Sequence, residues 1–207
     1  MISISEVSAQ SSAGQDILGQ IYGLRLEVYK HLGWFFDSKH THLLKDEFES
    51  IPTTTHFAIL EDEKVIGAHR MTKYSKEFEL PYIKDGLNKS IFGIGNPGIS
   101  EASRLLIKQD RKYPGCAKQL LFNTTKYELE NNSEAVVSIG FSDHVDFFEY
   151  IGYRVVNNEL SFTLDKRGDD QIVRKGTPII ALHSTLNSEI ELDKYENNRR
   201  FVVIKNG

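Results

Sequence analysis

The chain contains a single cysteine, Cys116, among its 207 residues, and it lacks any long hydrophobic run. One cysteine cannot form an intramolecular disulfide, so a reducing compartment is expected. No stretch approaches the roughly 18 apolar residues that a membrane-spanning helix needs. The first residues, MISISEVSAQSSAGQD, have neither the basic nor the apolar part of a secretory signal. The sequence therefore predicts a cytoplasmic protein without a membrane span.

An excess of positive charge is also missing. The 25 basic and 29 acidic side chains give a net charge of −4, which argues against nucleic acid as the main partner. An apolar content of 40% with 26% charged residues is typical of a globular protein. No repeat or linker is visible, so we expect one domain that covers residues 1–207.

Hydrophobic periodicity predicts alternating helices and strands. The acidic turn Glu61-Asp62-Glu63 lies between two apolar runs and indicates a β-hairpin. The predicted helices are Gly14–His31, a segment that follows Pro114-Gly115, and Ser142–Tyr150 with Ser142 as its cap. The predicted strands are Met1–Val7, Thr55–Leu60, Lys64–Arg70, Glu101–Ile107, Ala135–Phe141, Arg154–Leu164 and Ile179–Leu186, with a charged turn over Asp165–Gly176 and a last apolar run at Phe201–Ile204. The order indicates an α/β protein with a mixed sheet.

The central strand–turn–helix has the pattern of an anion site. Gly115 lets the backbone come close to a ligand, and the unpaired N–H groups of the first helical turn point at it. Arg111, Lys112 and Lys118 add positive charge beside this turn. The pattern therefore favours a phosphate or an acidic protein surface as the ligand.

A metal site is not expected. His40, His42, Asp46 and Glu49 lie close together in the sequence, but their spacing matches no tight ligand motif. Cys116 has no obvious base nearby and is interpreted as a small loop residue rather than a nucleophile.

The order of elements resembles the GNAT fold of N-acyltransferases. Lys112-x-x-Gly115-x-Ala117 is similar to the pyrophosphate loop of that superfamily, and Phe148-Glu-Tyr-Ile-Gly152-Tyr153 looks like its late helix ending. The resemblance implies a central, twisted mixed sheet flanked by helices. It also implies an acyl thioester, acyl-CoA or acyl carrier protein, as co-substrate, with no permanently bound cofactor.

Shorter motifs resemble one branch, the acyl-homoserine-lactone (autoinducer) synthases of quorum sensing and the related N-acyl amino acid synthases. The matching segments run in the same order over about residues 20 to 153. They are Arg25-Leu-Glu-Val28-Tyr29, Leu32-Gly33-Trp34, Asp46-Glu-Phe48-Glu49, Thr55-His56-Phe57, Gly67-Ala-His-Arg70 and Glu101-Ala-Ser103-Arg104. Tyr29, Glu49 and Met71-Thr72-Lys73 depart from the usual autoinducer-synthase residues, and Thr55-His56-Phe57 favours the amino acid synthases.

The resemblance assigns roles by position. The catalytic residues would be Glu101, Ser103 and Arg104. The acceptor-binding residues would be Arg25, Trp34, Asp46, Glu49 and Arg70. The donor-binding residues would be Leu105, Ile107, Arg111, Lys112, Gly115, Ala117, Lys118, Phe147 and Phe148. Glu101 either removes a proton from the amine, directly or through water, or pairs with an arginine and holds the fold.

The expected reaction is transfer of a medium or long acyl chain to the amine of a small, amino-acid-like acceptor. Two alternatives remain open: a short-chain acetyltransferase acting on a small-molecule or protein amine, and a non-catalytic domain that binds acyl thioesters. The sequence does not choose between coenzyme A and a carrier protein as the donor.

Overall fold

The computed structural model describes residues 2–7, 11–32, 45–74, 98–109, 115–141, 144–156, 160–163, 173–182 and 203–205. The strands are β1 (Ile2–Val7), β2 (Thr54–Glu61), β3 (Lys64–Lys73), β4 (Ile99–Ile107), β5 (Ala135–Phe141), β6 (Arg154–Val155), β7 (Leu160–Thr163), β8 (Val173–Leu182) and β9 (Val203–Lys205). The helices are α1 (Ser12–His31), a 3₁₀ helix (Glu47–Ser50), α2 (Cys116–Asn131) and α3 (Val145–Tyr150).

The chain divides into two compact units, and β4 and α2 each contribute to both. The first unit holds β1, α1, the 3₁₀ helix, β2, β3 to Thr72, β4 from Ala102, α2 to Tyr127, and β9. The second holds the start of β4, the end of α2, α3 and β5 to β8. This division does not test the single domain expected over residues 1–207, which stays a prediction.

The first unit is a mixed sheet covered by α1. Its strand order is β4-β3-β2-β1-β9, in which β1 is antiparallel to β2 and parallel to β9. Helix α1 begins at the cap Ser11, whose hydroxyl accepts a hydrogen bond from the N–H of Gly14. Its buried stripe, which includes Leu18, Ile21 and Val28, packs on apolar side chains of the sheet.

The hairpin of β2 and β3 closes where the sequence predicted it. Asp62 and Glu63 both have positive φ values, 49° and 68°, as a two-residue turn of the primed type requires. The turn pairs Glu61 with Lys64 and Leu60 with Val65. A β-bulge between Ile59 and Leu60 then shifts the register by one residue, so His56 lies opposite Arg70 and Phe57 lies opposite His69. From Gly67 onward, beyond the bulge, successive side chains of β3 alternate between the two faces of the sheet.

The second unit contains the parallel pair β4–β5, and β5 also pairs with β8, which runs antiparallel to it. Both β6 and β7 pair with β8. Ile99, Ala135, Val137 and Ile180 form its buried apolar cluster. Within the described residues, the β4–β5 ladder covers only Ile99 to Glu101, so the rest of β4 leaves this pairing.

Three predicted boundaries in the second unit are wrong. Helix α3 begins at Val145, with His144 and not Ser142 at its cap position, and Ser142 lies outside the described residues. The predicted strand Arg154–Leu164 is two strands, β6 and β7. Strand β8 begins at Val173, inside the charged segment predicted as a turn, because pairing with β5 and β7 satisfies its backbone groups.

No helix in the described part of the chain has the length and apolar character to cross a membrane.

Candidate active site

Three arginines and two carboxylates of the first unit form one connected chain of ion pairs. Arg25 comes from α1, Asp46 and Glu49 flank or lie in the 3₁₀ helix, Arg70 comes from β3 and Arg104 from β4. We call this set the arginine–carboxylate chain. Elements far apart in the sequence therefore supply the residues that the motif resemblance assigned to acceptor binding and catalysis.

Glu49 is the buried end of this chain. Its Oε1 accepts hydrogen bonds from Nη1 of Arg25 at 2.7 Å and from Nη1 of Arg70 at 2.9 Å. The Glu49 side chain is 0% exposed, and those of Arg25 and Arg70 are 1% and 2% exposed. Charges this deeply buried require partners, because each would otherwise lose its hydration without compensation.

Asp46 forms the end that reaches solvent. Its Oδ1 lies 2.7 Å from Nη1 of Arg70, and its Oδ2 lies 2.8 Å from Nη2 of Arg104. The side chains of Asp46 and Arg104 are 20% and 21% exposed. Burial opposes ionisation of Asp46, but the charges and hydrogen bonds of the two arginines outweigh it and lower its pKa to about 2.

Arg104 has an unusual backbone. Its φ is 57°, in the left-handed region that residues with a Cβ rarely adopt, although it lies inside strand β4. Its Nη1 donates to the hydroxyl of Tyr29 at 2.9 Å, in addition to its bond with Asp46. The neighbouring Ser103 hydroxyl accepts a hydrogen bond from Nε of Arg70 at 3.1 Å. These contacts hold β4 in a strained conformation at the motif residues.

His56 is a member of this site that the sequence analysis did not assign. Its Nε2 lies 3.1 Å from Oε2 of Glu49, although the contact lacks the angle of a hydrogen bond. Burial lowers the pKa of His56 to about 4, against the opposing charge of Glu49, so the imidazole is neutral near pH 7. The hairpin pattern alone would not have found it, because a two-residue turn without a bulge pairs His56 with His69, and the β-bulge moves it opposite Arg70.

Tyr22 completes the environment of Glu49 from helix α1. Its hydroxyl lies 3.5 Å from Oε2 of Glu49. Burial, with the charge of Glu49 acting in the same direction, raises the pKa of Tyr22 to about 12. With Tyr22 and His56 neutral, three arginines face two carboxylates, so the described members of the arginine–carboxylate chain carry an excess of positive charge.

On the opposite face of β3, His69 connects the sheet to α2. Its Nδ1 lies 2.9 Å from the hydroxyl of Thr124, which itself donates to the carbonyl of Leu120. Because that hydroxyl has one proton, Nδ1 of His69 must be the donor in their bond. Burial lowers the pKa of His69 to about 3 and keeps the imidazole neutral.

Glu101 lies on the same strand as Ser103 and Arg104 and is buried. It belongs to the second unit, where its backbone pairs with Val137.

The structure describes only some of the residues predicted to bind the donor. Helix α2 begins at Cys116, directly after Gly115, whose φ of 78° suits glycine. Ala117 and Lys118 lie in its first turn and are half-buried. Leu105 and Ile107 are half-buried near the end of β4. Trp34, Arg111 and Lys112 lie outside the described residues.

Phe147 and Phe148 lie on α3 in the second unit. Their rings meet edge to face at 5.3 Å, and Phe148 meets Tyr153 in the same way at 5.6 Å. Gly152, with a φ of 103°, ends the helix, and the N–H of Tyr153 returns to the carbonyl of Phe148. This is the helix ending that the sequence resemblance indicated.

A polar cluster in the second unit was missed by the sequence analysis. Both Ser100 and Ser133 donate to Oε1 of Glu128, at 2.6 and 3.1 Å, while Asn132 donates to Oε2 at 3.0 Å. These residues come from β4, from the end of α2 and from the turn before β5. No sequence motif marks them, because only the fold brings Ser100 to this turn.

Within the described residues, no group of three or more His, Cys, Asp or Glu side chains converges as a metal site.

Comparison with solved structures identifies the fold. The acyl-homoserine lactone synthase BjaI matches 100% of this chain and 94% of its own, with a TM-score of 0.67 and 18% identity. FeeM, an N-acyl amino acid synthase from uncultured soil microbes, matches 95% of this chain and 99% of its own, with a TM-score of 0.61 and 14% identity. The AHL synthase LasI matches 97% and 98%, with a TM-score of 0.56 and 17% identity.

No protein-family model matches the sequence, and no curated relative does. At 14 to 18% identity these likenesses concern the fold. Structures similar to the chain nevertheless include synthases of both kinds that the motifs resemble. The chain therefore has the GNAT fold, which solved acyl-homoserine lactone synthases, an N-acyl amino acid synthase and acetyltransferases share.

Proposed function

We propose that this protein is an N-acyltransferase that moves a medium or long acyl chain from a thioester to the amine of a small, amino-acid-like acceptor. The observation that carries the proposal is the arginine–carboxylate chain from Arg25 to Arg104. Its members occupy the positions at which the motifs resemble N-acyl synthases, and they lie on a fold shared with such enzymes.

The partly exposed end of this chain suits a zwitterionic acceptor. Asp46 and Arg104 present opposite charges side by side, 2.8 Å apart and about one-fifth exposed. The ammonium group of an amino acid would bind Asp46, and its carboxylate would bind Arg104. Behind them, Glu49 holds Arg25 and Arg70 in place, so the site is preorganised before the acceptor arrives.

The reaction requires a neutral amine. We assign Glu101 as the base that takes a proton from the acceptor ammonium, directly or through one water. The amine nitrogen then attacks the thioester carbonyl and a C–N bond forms. The C–S bond breaks as the nitrogen loses its second proton, which passes to the departing sulfur and releases it as the thiol. Ser103 and Arg104 adjoin this position on β4, where Arg70 orients the hydroxyl of Ser103 through its Nε.

Strand β4 would also stabilise the tetrahedral intermediate. Beyond Glu101 the strand leaves the described ladder with β5, and we assign the contact with the oxyanion to backbone N–H groups of Ser103–Ile107. An N–H group aimed at the developing oxyanion lowers the barrier, and one such donor typically contributes about 10²- to 10³-fold in rate.

The proposed donor site lies at the start of α2. Gly115 permits close approach of a phosphate, and the N–H groups at the start of α2, together with Lys118, would neutralise it. The BjaI structure that matches this chain contains SAM and isopentyl-CoA. Coenzyme A and acyl carrier protein both carry a phosphate group that would bind at the start of α2. We propose an acyl thioester of one of them as the co-substrate.

The test uses the purified protein with acyl-CoA donors of 2 to 16 carbons, with acyl carrier protein thioesters, and with the twenty amino acids and SAM as acceptors. Thiol release measures the rate, and mass spectrometry identifies the N-acyl product. We expect kcat/KM to rise from two to at least eight carbons, because each buried methylene contributes about 0.8 kcal/mol. The Asp46→Asn variant should lose acceptor affinity while donor hydrolysis is unchanged.

An optimum at acetyl would replace the proposal with a short-chain acetyltransferase. Donor binding without any thiol release, across all acceptors, would indicate a non-catalytic thioester-binding protein.

A further inference from the structure

Gly67 of β3 leaves a space that the side chain of Ile107 fills. A Cβ atom built on Gly67 would lie 2.6 Å from Cδ1 of Ile107, far inside the contact distance of about 3.5–4.0 Å between carbon atoms. It would also lie 3.3 Å from the carbonyl oxygen of Leu106 and 3.4 Å from Cδ1 of Ile59. The absence of a side chain at position 67 therefore permits the observed position of Ile107.

The backbone around this contact is fixed. The N–H of Lys108 donates to the carbonyl of Ile66 at 2.8 Å, which holds the end of β4 against β3. Ile59 is fully buried, and its Cδ1 at 3.4 Å would be in ordinary contact with the added Cβ. A side chain at position 67 would therefore displace the tip of Ile107, a half-buried side chain that can adopt other rotamers.

This contact lies on the face of the sheet that α2 covers. Ala68 and Leu106, one residue away on each strand, pack in the apolar cluster beneath α1. Side chains alternate along a strand, so Gly67 lies on the other face together with His69. His69 bonds to Thr124 of α2, the helix whose start we assign to the donor.

We propose that Gly67 determines the length of acyl chain that the enzyme accepts, through the position of Ile107. The inference rests on the proposed function and on the assignment of Leu105 and Ile107 to donor binding, which together place the acyl chain beside the end of β4. With glycine at position 67, the side chain of Ile107 lies against β3, and we infer that this leaves the path of the acyl chain open. A larger residue at position 67 pushes Ile107 outward and shortens the channel.

The experiment measures kcat/KM over the acyl-CoA series for Gly67→Ala, Ile107→Ala and the double variant Gly67→Ala/Ile107→Ala. Gly67→Ala should move the optimum to donors about two carbons shorter. The best wild-type donor should lose about tenfold or more in kcat/KM, since each excluded methylene costs about a factor of four. Ile107→Ala should extend the optimum. The double variant should have the same optimum as Ile107→Ala, because no Cδ1 remains for the added methyl group to displace.

A matched control is Gly23→Ala on α1, where an added Cβ meets nothing within 4 Å. It should leave the chain-length profile unchanged. Ile107→Phe narrows the same space without any change in β3, so it should shorten the optimum even if Gly67→Ala folds poorly. Acceptor KM should stay constant in every variant.

Two failures are distinguishable. If wild type makes N-acyl products while Gly67→Ala and Ile107→Phe keep its chain-length optimum, the role of Gly67 is wrong and the proposed function stands. If wild type makes no N-acyl product from any donor, the proposed function fails and this inference fails with it.

Discussion

Asp46 Oδ2 lies 2.8 Å from Nη2 of Arg104, whose backbone has a left-handed φ of 57° inside a β-strand. The ion pair and the backbone strain occur at one residue. Because strained conformations persist only where surrounding contacts hold them, the bonds from Arg104 to Asp46 and Tyr29 stabilise a bend that local sequence would not choose. Glu101 is the last residue of β4 that pairs with β5 in the described ladder. The bend at Arg104 lies three residues beyond it.

The strain at Arg104 predicts an unusual order of stability. Arg104→Ala loses the ion pair and keeps the strain, whereas Arg104→Gly loses both. Glycine should therefore be more stable than alanine here by about 1 kcal/mol, as urea unfolding would measure. Thr55 lies in an ordinary strand and serves as the control. There Thr55→Ala should be more stable than Thr55→Gly, because glycine loses more conformational entropy on folding. Alanine more stable than glycine at both positions would contradict a strained Arg104.

Glu49 should be essential for stability. Glu49→Gln removes the negative charge that Arg25 and Arg70 share, and a broken buried ion pair typically costs about 3–5 kcal/mol in the free energy of unfolding. The exposed Glu27→Gln on α1 is the matched control and should change stability by less than about 0.5 kcal/mol. A Glu49→Gln variant as stable as this control would show that the network does not hold the fold.

His69 makes stability depend on pH. Its folded pKa is lowered to about 3, below the value of roughly 6.5 in an unfolded chain, so below pH 6.5 the unfolded state binds a proton that the folded state does not. Stability therefore falls as the pH falls, by up to about 1.4 kcal/mol per pH unit from this residue. Between pH 6.5 and 5, where carboxylates stay ionised, urea unfolding should show a smaller slope for His69→Gln. If the free energy of unfolding depends on pH with the same slope in wild type and His69→Gln, His69 does not contribute to the pH dependence.

Glu101 is expected to be catalytic. Glu101→Gln keeps the size of this buried side chain but cannot take a proton. We expect turnover to fall by about a hundredfold or more, the usual scale for a positioned base, with an unchanged circular dichroism spectrum. Glu130→Gln on the exposed side of α2 is the control and should keep wild-type turnover. Near wild-type turnover in Glu101→Gln would assign the carboxylate a structural role.

Lys118 should contribute to donor binding. Lys118→Glu reverses a charge in the first turn of α2, so donor KM should rise several-fold, and added salt should raise the wild-type KM in the same direction. Lys126→Glu, exposed on the same helix, is the control. An unchanged donor KM in Lys118→Glu would remove the start of α2 from the proposed donor site.

The sequence by itself determined most elements of the fold. Apolar periodicity placed α1, and alternation around Glu61-Asp62-Glu63 placed the hairpin, because the burial of a stripe or a face requires those spacings. The motif order also led to Arg25, Asp46, Glu49, Arg70 and Arg104, which the fold brings together. The helix, the hairpin and the motif residues could be predicted because each is marked by a pattern within a short stretch of sequence.

Tertiary structure alone decided the rest. The strand over Val173–Gly176 replaces a charged turn because β5 and β7 supply hydrogen bonds that local composition cannot. His56 joins Glu49, and Ser100 joins Glu128, only through pairing between distant segments. The bend at Arg104 and the close fit of Ile107 against Gly67 likewise have no local cause. Each depends on contacts between residues remote in sequence, and these form only when the strands and helices pack.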